Sequence, residues 1–308
     1  MNSLEASIFE KVVVLLIGTV IMYYAGNLMM DRLVDDKDHE IEVFIKSLGK
    51  NVMLNSYERC IYDDVIHKDD ISESFDNIVG HETIKEDIKT VFIEPINEKL
   101  DVDLPNGMIL HGPPGTGKSM LARCIAKESN TCFINFSMTN IENKLYGESQ
   151  KYMNAVFTLA KKLSPCVIFI DELDGFGSSR SSMDQHHINS LKTQFLRQID
   201  GVVKDKSKII CIGATNRLNA IDSAMRRRMR KHVQLCLPDL QEIKILFEKH
   251  LGILSENLSD DMIGKCVGFS GSDVYELCKN IKIYSRKNKN IKDVFHNQLK
   301  SFTYETSS

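Results

Sequence analysis

The apolar positions of this chain fall into three regimes. In the first, nineteen residues from Val12 to Met30, VVVLLIGTVIMYYAGNLMM, carry no charge, bracketed by Glu10-Lys11 and Asp31-Arg32. As a helix such a run spans about 28 Å, close to the hydrocarbon thickness of a bilayer. It is apolar all round, and it contains Gly18 and Gly26, which weaken soluble helices but are common in membrane ones. Two plainer readings are a cleaved signal peptide and a buried core helix. Glu5 and Glu10 ahead of the run oppose the first, as does its length, and the missing polar stripe opposes the second. The expectation is one transmembrane helix over 12–30. Lys11 before it against Arg32, Lys37 and Lys46 after it favours a cytosolic carboxyl side.

The second regime, residues 31–74, is charged and mixed. Ile41, Val43, Phe44, Ile45 and Leu48 predict a helix that Gly49 ends. In the third, apolar runs of strand length (MILHG at 108–112, CVIFID at 166–171, KIICIGAT at 208–215) alternate with helical stretches, which predicts a parallel sheet covered by helices. Residues from about 240 to 300 predict helices without strands. The expected division is a tail 1–11, the span 12–30, a membrane-proximal linker 31–74, an α/β subdomain 75–237 and a small helical subdomain 238–308.

Composition changes this picture little. The 308 residues fit about two domains. With 43% hydrophobic and 26% charged residues the chain is neither collagenous, disordered nor a disulfide miniprotein. Thirty-nine basic against 42 acidic residues give a net charge of -3, which asks for no nucleic-acid partner. Eight dispersed cysteines, without a CxxC pair or a histidine at zinc-ligand spacing, predict thiols in a reducing compartment.

Chemistry concentrates after the first predicted strand. Gly112-Pro113-Pro114-Gly115-Thr116-Gly117-Lys118-Ser119 completes the pattern GxxxxGK[ST], followed by a helix predicted from Met120 to Glu128. The glycines let backbone amides curl around phosphates, the helix offers its positive end, Lys118 reaches the outer phosphates, and Ser119 can hold Mg2+. The strand CVIFID ends in Asp171 and Glu172, placing a Mg2+-coordinating carboxylate beside the loop and a second carboxylate as general base for water. The expected ligand is a nucleotide with Mg2+, and the reaction hydrolysis. Asn216 follows another strand, and Arg226-Arg227-Arg228 fill one turn after it. An amide near the attacking water and an arginine donated across a subunit boundary are expected parts of phosphoryl transfer.

In this order and spacing, phosphate loop, IDELD, ATNR and DSAMRRR resemble an AAA ATPase of the meiotic clade. The likeness continues in SFDNIVG (74–80), LYGES (145–149), FLRQIDG (195–201) and GFSGSD (268–273) and covers roughly 55–300. It implies a P-loop AAA+ module, a parallel sheet flanked by helices, followed by an all-helical lid. Carried over by motif position, Asn216 is the sensor-1 residue, Arg227 and Arg228 are fingers completing a neighbour's site, Val79 and Met120 join the loop in holding nucleotide, and Leu145 and Tyr146 form the first pore loop that grips an extended polypeptide. Such sites imply a ring, by analogy a homohexamer.

A single span, a short linker and one ATPase module are similar to the thorase-like extractases of the outer mitochondrial membrane, which remove mislocalised tail-anchored proteins. Met229 after the arginine pair fits that group, where severing relatives carry Phe. The resemblance implies a bilayer-anchored ring whose partners are tail-anchored or other membrane-protein clients, with the ATPase in the cytosol; a peroxisomal membrane is equally compatible. The sequence departs from the family at Val79, where Gly is usual, at His232, where Arg is frequent, at Leu145, where Trp is frequent, and at Gln185-His186-His187 in the stretch 181–189 read as the second pore loop. The rival readings are a microtubule-severing ATPase of the spastin type and a nucleotide-gated scaffold with little turnover. The acid-rich, run-free linker opposes the first, and Glu172 with Arg227 and Arg228 opposes the second.

Overall fold

A computed structural model of the protein describes residues 41–46, 48–50, 52–98, 100, 105, 107–137, 148–177, 182–204, 208–286 and 290–306. The expected span 12–30 and the first pore-loop residues Leu145 and Tyr146 lie outside them. Among the described residues no helix is long and apolar enough to cross a membrane.

The chain divides into two units, 1–53 and 54–308. In the first, residues 41–46 are helical and the turn closes at Gly49, whose φ of 68° is left-handed. The Gly49 amide donates to the Lys46 carbonyl and the Lys50 amide to that of Ile45, the paired bonds that seal a helix end in this way.

The second unit opens with α1 (Ser56–Tyr62) and a two-residue strand β1 (Val65–Ile66). Helix α2 (Glu82–Ile88) runs through a wider turn, Lys89–Ile93, into α3 (Glu94–Asn97). Then strands and helices alternate: β2 (Gly107–His111), α4 (Lys118–Glu128), β3 (Cys132–Ser137), α5 (Glu148–Leu163), β4 (Cys166–Asp171), α6 (Ser182–Lys204), β5 (Ile209–Thr215), α7 (Ser223–Arg228) and β6 (Lys231–Gln234). Residues 182–189, read from the sequence as the second pore loop, form the start of α6. Among the described residues four α-helices follow, α8 (Leu240–Leu251), α9 (Asp260–Gly264), α10 (Gly271–Ser285) and α11 (Ile291–Thr306).

The strands form one sheet in the order β1-β3-β4-β5-β2-β6, parallel except for β1, which pairs antiparallel with β3 at the edge. This is an α/β sheet, mostly parallel and flanked by helices, with a helical carboxyl-terminal part. The near-continuous apolar runs of β2, β4 and β5 follow from burial on both faces. One face, with Met108, Leu110, Phe133, Val167 and Phe169, packs against α2, α3 and α4. On the other side of α5, Phe195 of α6 lies 5.2 Å from the Phe176 ring and 6.0 Å from that of Phe157. The carboxyl-terminal helices close a second core around Phe247, Leu277, Ile281 and Phe295. Residues 78 and 79 join the two, Ile78 packing on the sheet's core and Val79 on the helical one.

Two sequence expectations shift. Helix α4 begins at Lys118 rather than Met120, because Gly117, at φ 89°, is its amino-terminal cap. Residues 56–66, grouped by sequence with the linker, instead lie on α5 and the sheet edge. None of the eight cysteines joins a disulfide, and burial pushes Cys124, Cys211, Cys266 and Cys278 up to about 12, so these four stay as thiols at neutral pH. Phe195, fully buried, sets the packing of α6 beneath the turn after β4. Phe195→Ala is expected to cost about 3–5 kcal/mol, read from denaturant midpoints; a loss below about 1 kcal/mol would contradict this packing.

Candidate functional site

The register of the sheet brings three chain ends to one edge. His111 of β2 lies opposite Thr215 of β5, and Ile170 of β4 opposite Gly213, so the loop after β2, the carboxylates after β4 and Asn216 after β5 leave the sheet side by side. Ligands of open α/β sheets bind at this edge.

The loop from Gly112 to Gly117 is shaped by positions where a side chain does not fit. A Cβ at Gly112, φ 149°, would lie 2.0 Å from the Leu235 carbonyl oxygen, and one at Gly115, φ 74°, would lie 2.3 Å from Ser270 Oγ. Thr116 Oγ1 donates to the Pro113 carbonyl at 2.9 Å, tightening the turn over Pro114. Gly117 caps α4 without a side-chain acceptor, so the first amides of that helix stay turned to the loop's mouth, as anion binding requires. Lys118 donates to the carbonyls of Gly112 at 2.9 Å and Pro113 at 2.7 Å. Two of its three donors thus fix the ammonium in the mouth and one remains for a phosphate oxygen. Burial lowers the Lys118 pKa below the ordinary lysine value, against the opposing charge of Asp171. Ser119 and Met120 follow in the first turn of α4.

At the end of β4, the Glu172 amide donates to Asp171 Oδ1 at 2.9 Å. Glu172 itself has φ 51°, rare for a residue with a side chain, and its carboxylate is exposed at the sheet's edge. The Ser119 hydroxyl and Asp171 carboxylate are hard oxygen donors of the kind Mg2+ prefers. Among the described residues no group of three or more His, Cys, Asp or Glu could hold a metal unaided. A Mg2+ ion held by these two donors would take the rest of its shell from water and phosphate oxygens.

A further carboxylate organises the turn after β5. Asp174 accepts from Thr215 Oγ1 at 2.8 Å and from Arg217 Nε and Nη2 at 3.1 and 2.9 Å, while the Arg217 amide donates to Thr215 Oγ1. Burial alone would raise the Asp174 pKa; the bonds from Thr215 and Arg217 outweigh it and hold the carboxyl below its ordinary value. Both neighbours of Asn216 are thereby tied to one anion, and its exposed amide projects from a fixed turn.

The arginine turn separates its members. Arg228 Nε and Nη2 meet both oxygens of Asp200 on α6 at 2.8 and 2.9 Å, and Nη1 donates to the Ala224 carbonyl. Arg227 is exposed, and Asp222 caps α7 while pairing with Lys192 at 2.9 Å.

The helical subdomain rests on the phosphate loop. The Ser272 amide donates to the Gly115 carbonyl at 3.2 Å, and Lys249 Nζ to that of Asp76 at 2.7 Å. Ser270 caps α10 in a reciprocal arrangement with Asp273, which fixes the serine against Gly115. Asp174, Asp200 and the Ser270–Ser272 seat were given no role by motif reading. IDELD, QIDG and GFSGSD contain them, but their partners lie tens of residues away and only the fold supplies them.

A glycine-shaped loop with a fixed lysine, a paired carboxylate edge and a helical lid on the loop define a P-loop nucleotide hydrolase. Residues 108–237 match the ATPase family associated with various cellular activities. The chain is similar to the human outer mitochondrial transmembrane helix translocase, at 34% identity over 84% of this chain and 77% of that protein. It is also similar to spastin of Ixodes scapularis, at 38% identity over 67% of this chain and 33% of that one. The FIGL-1 AAA domain solved with ADP superposes with a TM-score of 0.67 at 26% identity, covering 82% of this chain and 92% of that one. The chain belongs to the AAA family and is an ATP-binding ATPase.

Gly115→Ala tests the seat of the lid. The left-handed backbone disfavours alanine by about 1–2 kcal/mol, and Ser270 blocks the new methyl. ATP affinity, by calorimetry, is expected to fall about tenfold or more; wild-type affinity would contradict the geometry.

Proposed function

We propose that this ATPase is a membrane-anchored ring that draws tail-anchored or other membrane proteins out of a bilayer through a central pore. The observation that carries the reading is the pairing, in one chain, of a hydrolytic site with an uncharged run of bilayer length at 12–30. The likeness to a transmembrane helix translocase over most of both chains supports it, and with it the outer mitochondrial membrane as the location and the cytosol as the side of the ATPase.

In this reading the amides of Gly112, Gly115 and Gly117 and the Lys118 ammonium hold the ATP phosphates, and the Ile78-Val79-Gly80 segment and Met120 flank the nucleotide. Ser119 and Asp171 would hold Mg2+, which screens phosphate charge when bound. Glu172 accepts the proton of the attacking water, and its exposed position at the strand's end leaves room for that water. Asn216, steadied through Asp174, orients the same water. Arg227, exposed on α7, reaches the γ-phosphate of a neighbouring subunit, in a ring that family analogy makes a homohexamer. Arg228 stands beside it, clasped by Asp200. Leu145 and Tyr146, outside the described residues, are assigned the grip on the client, where an aromatic ring adds apolar contact with little demand on sequence.

The spastin likeness favours severing as a second reading, but it covers a third of that protein and the linker here has no basic run. Full-length protein in liposomes bearing a fluorescent tail-anchored client is expected to release it with ATP. Glu172→Gln is expected to bind ATP, to lose hydrolysis about 100-fold or more, and to release nothing. Robust hydrolysis without release would overturn extraction, and unimpaired hydrolysis in Glu172→Gln would overturn the assigned base.

A further inference from the structure

The residues through which the chain enters its ATPase domain hold two elements at once. Helix α1 lies along α5: the Tyr57 and Tyr152 rings meet edge to face at 5.3 Å, and Lys151 Nζ sits 5.6 Å from the centre of the Tyr57 ring. Between them Glu58, with no exposed surface, accepts from Thr158 Oγ1 at 2.7 Å and Lys162 Nζ at 2.6 Å on α5, and from the Asn55 amide at 2.8 Å on its own helix. A few residues on, β1 is bonded into the sheet along β3, Val65 opposite Ile134 and Ile66 opposite Phe133, and the Asn135 amide donates to the Asp64 carbonyl. Strand β3 ends at Ser137 and α5 starts at Glu148. The same short segment is therefore fastened to the element that leads into residues 138–147 and to the one that leads out of them.

A buried carboxylate is a costly way to join two helices. Its desolvation is offset only when both oxygens find donors, as here, and apolar residues of similar size join helices at least as firmly. What the carboxylate adds is direction, because the Thr158 hydroxyl and the Lys162 ammonium on α5 favour one register of α1, whereas apolar contact tolerates sliding.

We propose that Glu58 is a positioning residue that locks β3 and α5, the two limbs carrying the client-gripping loop, to the segment leading back to the membrane anchor, so that pulling force is borne by that anchor. The proposal rests on the extraction reading above. ATP chemistry at Lys118 and Glu172 does not pass through α1, so loss of the lock uncouples hydrolysis from pulling without stopping hydrolysis.

The test is ATP hydrolysed per client released, in liposomes carrying the full-length protein and a fluorescent tail-anchored client. Glu58→Ala is expected to keep at least half of basal hydrolysis and an unchanged KM for ATP, while the ratio rises about fivefold or more. Glu58→Gln, which keeps one acceptor oxygen and loses the charge, is expected to fall between that variant and the wild type. Thr158→Val serves as the milder variant should Glu58→Ala fail to fold, with a rise of about twofold expected. Hydrolysis and release falling in parallel, or a ratio unchanged in all three variants, would overturn the proposal while leaving extraction intact. Hydrolysis without release in the wild type would remove the extraction reading and this proposal with it.

Discussion

Everything in this ATPase depends on a loop that no other backbone could form at that place. Between β2 and α4 the chain must turn within six residues, face its amides inward and pass under two neighbours, the Leu235 carbonyl and the Ser270 hydroxyl, that leave no room for a Cβ. Glycine meets all three demands, at the cost of backbone freedom that the flanking strand and helix must offset. Those neighbours arrive from the chain after β6 and from the cap of α10, so the loop is finished only when the sheet and the helical lid are both in place.

The polar contacts around the loop share a logic. Lys118 is fixed by two carbonyls, Asn216 by flanking residues tied to Asp174, and Arg228 by Asp200. Each group is held by partners that are not themselves reactive, so little reorganisation is needed when charge develops on a transferring phosphoryl group. Arg227 and Glu172 are the exceptions. Both stand exposed, Arg227 on α7 and Glu172 just past β4.

The fold was legible wherever burial on two faces makes a strand continuously apolar. CVIFID is the strand β4 residue for residue, and the runs at 108–112 and 208–215 mark β2 and β5 to within one position. The two-residue β1 carries no periodicity and could be found only through its partner β3. The candidate site was legible in its local motifs, since the phosphate loop and the carboxylate pair are contiguous in the chain. Asp200 with Arg228, Asp174 with Arg217, and Glu58 with Lys162 were not, because each joins positions 28 to 104 residues apart that topology alone brings together. Met120 illustrates a smaller miss. The helix starts earlier, at Lys118, because a glycine at positive φ can cap it where a serine or aspartate would fill the phosphate mouth.

With the Ser272 amide bonded to the Gly115 carbonyl, a nucleotide held by the loop is expected to shift the helical lid relative to the sheet. The most direct test is a distance distribution between spin labels, one on the exposed face of α10 and one on that of α5, in Glu172→Gln protein held with ATP and in wild-type protein held with ADP. The account predicts two distinct distributions, with the ATP-held state the narrower. Superimposable distributions would contradict it.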